Sequence, residues 1–74
     1  MNPQHKALLD LAHAQMPYGK YKGRYLIDLP EYYVVWLQNN RLPSGTLGTQ
    51  LRLVHELKVN GLEDLVRRLR TPSR

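Results

Sequence analysis

The chain has 74 residues, a net charge of +5, one tryptophan, five tyrosines, no phenylalanine and no cysteine. A chain this short makes one domain, 1–74, and buries only about 60–65% of the surface its unfolded form exposes. Without cysteine it has neither a disulfide framework nor a thiolate nucleophile or zinc ligand, and the start, MNPQHKALLDLAHAQ, lacks the long apolar run of a signal peptide or membrane span.

Pro3 to Ala14 reads as a first helix. Asn2 would cap it, Pro3 suits the first turn, and Leu8, Leu11 and Ala12 form a narrow apolar stripe. Met16-Pro17 ends it, because the residue before a proline is pushed out of the helical region. From Tyr18 to Ile27 the helical period disappears. Tyrosines and Ile27 suit extended structure, and Gly19 and Gly23 supply positive φ for a reversal, so a short β-hairpin or hooked loop is expected, with arms at 16–18 and 24–27. Asp28-Leu29-Pro30-Glu31 opens a second helix, whose buried face is expected to be Tyr33, Val34, Trp36 and Leu37, with Trp36 as its anchor. Either Tyr32 or Tyr33 must then face outward. Arg41–Gly48 reads as a loop, and a third helix follows from about Thr46 to Val59, ended by Asn60-Gly61. Leu62, Leu65, Val66 and Leu69 pattern a short fourth helix with Arg67, Arg68 and Arg70 on its outer face, and 71–74 is expected to fray. The fold class is mainly α with a small β-hairpin, α-β-β-α-α-α, with an ordered core over about 3–70.

Charge is segregated along this order. Residues 17–27 carry Lys20, Lys22 and Arg24 with no acid, residues 28–64 are mildly acidic, and the tail from 65 gathers four arginines. Such segregation is an electrostatic footprint for phosphate. Candidates for catalysis are sparse. His5 and His13 are about 12 Å apart along a helix axis, too far to share a metal, and His55 and Glu56 are adjacent residues that point about 100° apart. Ser44 and Ser73 have no base in view, and Glu63 and Asp64 suit a helix N-terminus better than a magnesium site. The Gly19–Arg24 loop is not a nucleotide-binding P-loop, which needs four residues between its glycines and a Lys-Ser/Thr after the second. In extended form it would set Lys20, Lys22 and Arg24 on one side and Tyr21 and Tyr25 on the other.

The stretches MPYGKYKGRYLIDLPEYYVVWL and HELKVNGLEDLV resemble the small bacterial family described as "putative quorum-sensing-regulated virulence factor", a domain of unknown function. Its members read methionine-proline-aromatic-GKYKGR, then LIDLPE, a tyrosine and a tryptophan, and later a helix ending in NGLE. Tyr18 stands where phenylalanine is common, and His55-Glu56-Leu57-Lys58 departs from an EIK-like triplet. The resemblance spans most of the chain but implies no activity. Residues 18–37 are also similar to a C-terminal segment of exodeoxyribonuclease-X-like exonucleases, which implies an accessory that touches nucleic acid; the catalytic acids of such enzymes are absent.

The expectation is a cytoplasmic, non-enzymatic module that binds DNA or RNA weakly and without sequence preference. Lys20, Lys22 and Arg24 would meet phosphates, Tyr21 would stack or position, and Arg67, Arg68 and Arg70 would add long-range attraction. No cofactor, metal, membrane or small-molecule substrate is expected. The alternative is a protein-interaction module or homodimer using an exposed tyrosine with Leu42 and Leu47, the basic segment serving only as a solubilising edge.

Overall fold

The structure is a computed structural model that describes residues 3–70, with side chains from Lys6 onward. Asn2 and the expected fraying of 71–74 lie outside the described residues. The elements are α1 (Pro3–His13), a 3-10 turn (Leu26–Asp28), α2 (Glu31–Asn40), α3 (Gly45–Val59) and α4 (Glu63–Arg70). The fold is mainly helical.

α1 packs on α4, α2 packs on α3, and the 3-10 turn touches α1, α3 and α4. That turn is the centre of the molecule. Leu26, Ile27 and the following Leu29 are fully buried, and Leu11, Met16, Val34, Leu51, Val54 and Val66 close around them. Arg24–Ile27 is therefore not a strand. Its second half supplies core side chains to three helices, a demand that extended pairing along one edge would not meet.

Four capping and packing devices hold the helices in place. The α3 terminus is a Schellman turn: Gly61 at φ +68° lets its N–H reach the Lys58 carbonyl at 3.1 Å, and the Leu62 N–H reaches the Leu57 carbonyl at 2.9 Å. Lys58, with a side chain only 6% exposed, donates to the Ile27 carbonyl at 2.9 Å and lies 3.7 Å from the Glu63 carboxylate. Asp28 receives Arg67 Nε at 2.7 Å and lies 3.6 Å from an Arg70 amino group, which ties the 3-10 turn to α4. Asp64 completes the Arg67 pairing at 2.9 Å.

The fourth device is Gly48, which lies where the expected 41–48 loop overlaps the helix expected from about Thr46, and is found inside α3. A Cβ there would lie 1.9 Å from the Pro43 carbonyl oxygen, so α3 can start at Gly45 only because residue 48 has no side chain. The loop between α2 and α3 shrinks to 41–44.

Two further expectations are corrected. Trp36 does not anchor the core: it is 48% exposed, while Val34 and Leu37 fill the buried side of α2. Residues 34 and 37 are one helical turn apart and fill the core side, Tyr33 packs partly buried against the core as expected, and Trp36 lies one turn beyond it on the exposed side. The three α4 arginines do not share an outer face either. Arg67 and Arg70 turn inward to Asp28, while Arg68 is exposed and makes no hydrogen bond or ion pair among the described residues.

Candidate nucleic-acid interface

The segment from Gln15 to Tyr25 is a closed loop rather than a hairpin. Its neck is one antiparallel bridge, Gln15 with Tyr25, reinforced by the Met16 N–H on the Arg24 carbonyl and the Gly23 N–H on the Met16 carbonyl, both 2.8 Å. Above the neck the backbone spends its residues on turns. Gly19 and Gly23 sit at φ +81° and +86°, the Lys22 N–H reaches the Gly19 carbonyl at 3.2 Å, and the Arg24 N–H reaches the Tyr21 carbonyl at 3.0 Å. With residues 16 and 24 already bonded, no length remains for strand pairing, and the result is a compact loop with closed ends.

This geometry replaces the expected two-sided alternation. Tyr21 folds back onto α2, where its ring meets Tyr33 edge-on at 4.6 Å and its hydroxyl lies 2.6 Å from that of Tyr32. Tyr25 turns the other way, beneath the Arg70 guanidinium at 3.9 Å. The Lys20 ammonium and the Arg24 guanidinium each lie 5.5 Å from the centre of the Tyr21 ring, within cation–π range. Lys20, Tyr21 and Arg24 therefore form one group, and Lys22 is exposed on the turn beside it.

Tyr33 extends the group. It stacks on Trp36 with ring planes 15° apart and centres 6.1 Å apart, so Tyr21, Tyr33 and Trp36 form a continuous aromatic row from loop to helix. Tyr32 and Tyr18 flank it at 65% and 50% exposure. The Tyr32 hydroxyl hydrogen-bonded to Tyr21 holds the Tyr21 phenol above its ordinary value of 10.0, since the bond favours the protonated form; desolvation adds to this and Arg24 opposes it. The Asp28 hydrogen bond, partly opposed by desolvation, likewise raises Arg67 above the ordinary arginine range.

Lys20, Lys22, Arg24 and Arg41 make no ion pair among the described residues; Lys20 and Arg24 stand at the Tyr21 end of the row, Arg41 lines a groove with Tyr33 and Trp36, and Lys22 is exposed on the neighbouring turn. Arg67 and Arg70, in contrast, are engaged by Asp28 and Asp64 and belong to the helix-clamping network. Of the aromatic surface, the sequence pointed to Tyr21 and to one outward tyrosine, which is Tyr32. Trp36, Tyr18 and Arg41 were missed. The available signal was the doubled spacing in α2, where 33 and 36 repeat one turn apart beside 34 and 37. Among the described residues no group of three metal-ligating side chains comes together, and no helix is long and apolar enough to cross a membrane.

The fold and surface define a small helical domain carrying a cation-flanked aromatic loop. The chain belongs to the family described as "Putative quorum-sensing-regulated virulence factor", whose model matches residues 4–69. It is similar to "Uncharacterized protein YpeB" of Escherichia coli K12, with 44% identity over 66 residues covering 88% of this chain and 92% of that protein. The protein of the same name in Escherichia coli O157:H7 matches to the same extent. No solved structure matches the chain.

Proposed function

We propose that this protein is a non-enzymatic nucleic-acid-binding module whose contact surface is the 18–24 loop with the outer side of α2. The observation that carries the proposal is the position of Lys20 and Arg24, each 5.5 Å from the centre of the Tyr21 ring at the end of an aromatic row, with no carboxylate among the described residues pairing either one. Unpaired cations beside solvent-facing rings suit a phosphate backbone and the faces of its bases. Lys20, Lys22 and Arg24 meet phosphates, and Tyr21 holds the loop against α2 and orients the cations. Arg68 adds long-range attraction. Arg67 and Arg70, whose charge is offset by Asp28 and Asp64, contribute little to it.

Binding of this type is weak, tolerant of sequence and steeply salt-dependent. The test is a titration of single- and double-stranded DNA and of RNA at two ionic strengths, with the wild-type chain and a Lys20→Glu/Lys22→Glu variant. Wild-type binding that weakens with salt and disappears in the variant supports the proposal. Absence of binding at low salt, or equal binding by the variant, rejects it.

A second reading, self-association or a protein partner, is supported by a different surface. Val59, Leu62 and Leu65 are exposed at the α3–α4 corner. Leu42 and Leu47, expected to serve this role, instead pack half-buried against the core. Contact through the corner would survive charge reversal in the loop and appear as concentration-dependent sedimentation.

A further inference from the structure

A groove opens where α2 ends, beyond the loop cations. Tyr18, Tyr33, Trp36, Arg41, Leu42 and Pro43 border it, and it encloses about 530 Å³. Two of its rings, Trp36 and Tyr18, are half exposed, although neither is needed to complete the core. Tyr33 fixes the Trp36 plane to within 15° of its own, so an incoming ring meets a surface that is already oriented and loses little freedom in ordering it. Arg41 stands at the rim. Its backbone N–H is committed to the Leu37 carbonyl at 2.8 Å, while Arg41 is exposed and its guanidinium makes no hydrogen bond or ion pair among the described residues.

Building on the nucleic-acid reading, we infer that this groove receives one unpaired base of a single strand. Trp36 and Tyr18 stack on the base, Arg41 meets an adjoining phosphate, and Lys20, Lys22 and Arg24 hold the backbone on the other side. A base in a duplex has both faces covered by its neighbours and offers none to Trp36, so the partner is a single strand rather than a helix. Charge selects this occupant. A neutral proline-rich segment would use the rings but leave Arg41 at the groove, and Lys20 and Arg24 at the Tyr21 end of the row, without a counterpart.

Trp36 is the chain's only tryptophan, so its emission reports on the groove directly. The full chain is titrated at low salt with a thymine single strand, a duplex of the same length, and an abasic single strand of that length. Binding is read in parallel by anisotropy of a labelled strand. The expected result is quenching of Trp36 by the thymine strand, no quenching by the duplex, and about ten-fold weaker binding of the abasic strand. Tyr18→Ala and Arg41→Ala, both outside the core, should each weaken the thymine strand several-fold with the helical circular dichroism unchanged.

Equal affinity for the abasic strand, or salt-dependent anisotropy with a silent Trp36, overturns the groove assignment and leaves the nucleic-acid reading standing. Failure of every strand to bind removes both. Quenching by a neutral proline-rich peptide but not by the strand gives the groove to a protein and overturns the inference.

Discussion

Asp28 accepts a hydrogen bond from Arg67 Nε at 2.7 Å, across 39 positions of sequence, and through it the turn that opens α2 is fastened to the last helix. The same carboxylate lies 3.6 Å from Arg70, which in turn covers the Tyr25 ring. One acid thus organises two arginines that would otherwise read as free surface charge. Asp28→Asn should lower stability by about 1–2 kcal/mol in urea unfolding, discounted for the 40% exposure of Arg67, while Arg68→Gln should stay within about 0.5 kcal/mol. The Asp28 hydrogen bond raises Arg67 further above the range in which arginine loses its charge, so the link to Asp28 should persist as pH rises from neutral through moderately alkaline conditions.

Gly48 tests the packing of α3 against the preceding loop. Gly48→Ala should cost about 3 kcal/mol, because the new Cβ would meet the Pro43 carbonyl, which is backbone and cannot rotate away. Gly23→Ala meets open space and should cost only about 1–2 kcal/mol, from its φ of +86°. Thermal unfolding of the two variants separates a clash from a dihedral penalty.

These two sites show how far the sequence could be read. Helical periods gave four helices within a residue or two, because Leu11, Val34, Leu51, Val54 and Val66 do face the core at helical spacing. Gly48 fell where the loop and helix readings overlap, since a glycine after Pro43-Ser44-Gly45 suits either, and its reason for being glycine is a contact with a carbonyl that only the folded chain brings near. Trp36 misled because size suggests burial, whereas in a small domain Val34 and Leu37 already saturate that side of α2. Arg67 and Arg70 misled because their acid lies far away in sequence. The loop was legible as a basic reversal made by Gly19 and Gly23. Its folding back onto α2 was not, since that depends on Tyr33 and on the Tyr32 hydroxyl.

Lys58 offers a third check. Lys58→Met keeps the apolar stem but leaves the Ile27 carbonyl without its 2.9 Å partner. A loss of about 1–3 kcal/mol in stability is expected, with the helical spectrum retained at low temperature. Because Ile27 lies in the central turn, faster amide exchange in the variant should appear at 26–29 as well as around residue 58.

The Tyr21–Tyr32 hydroxyl pair predicts a pH effect in strong alkali. With its pKa raised in the folded chain, Tyr21 retains a proton that the unfolded chain loses above 10.0, so stability is full below that value and declines as pH rises through the folded value. Ultraviolet titration of the wild type against Tyr21→Phe isolates this phenol. Tyr32→Phe should return its ionisation toward the ordinary value, since the hydroxyl bond is the main cause of the shift.

The central claim is that the unpaired cations around the aromatic row hold a nucleic-acid backbone. Its most direct measure is the salt dependence of single-strand affinity. Lys20, Lys22, Arg24 and Arg41 acting together predict a slope of log K against log salt of about −2 to −3, reduced by more than one unit in the Lys20→Glu/Lys22→Glu chain. A slope near zero, or one that the double substitution leaves unchanged, would contradict it.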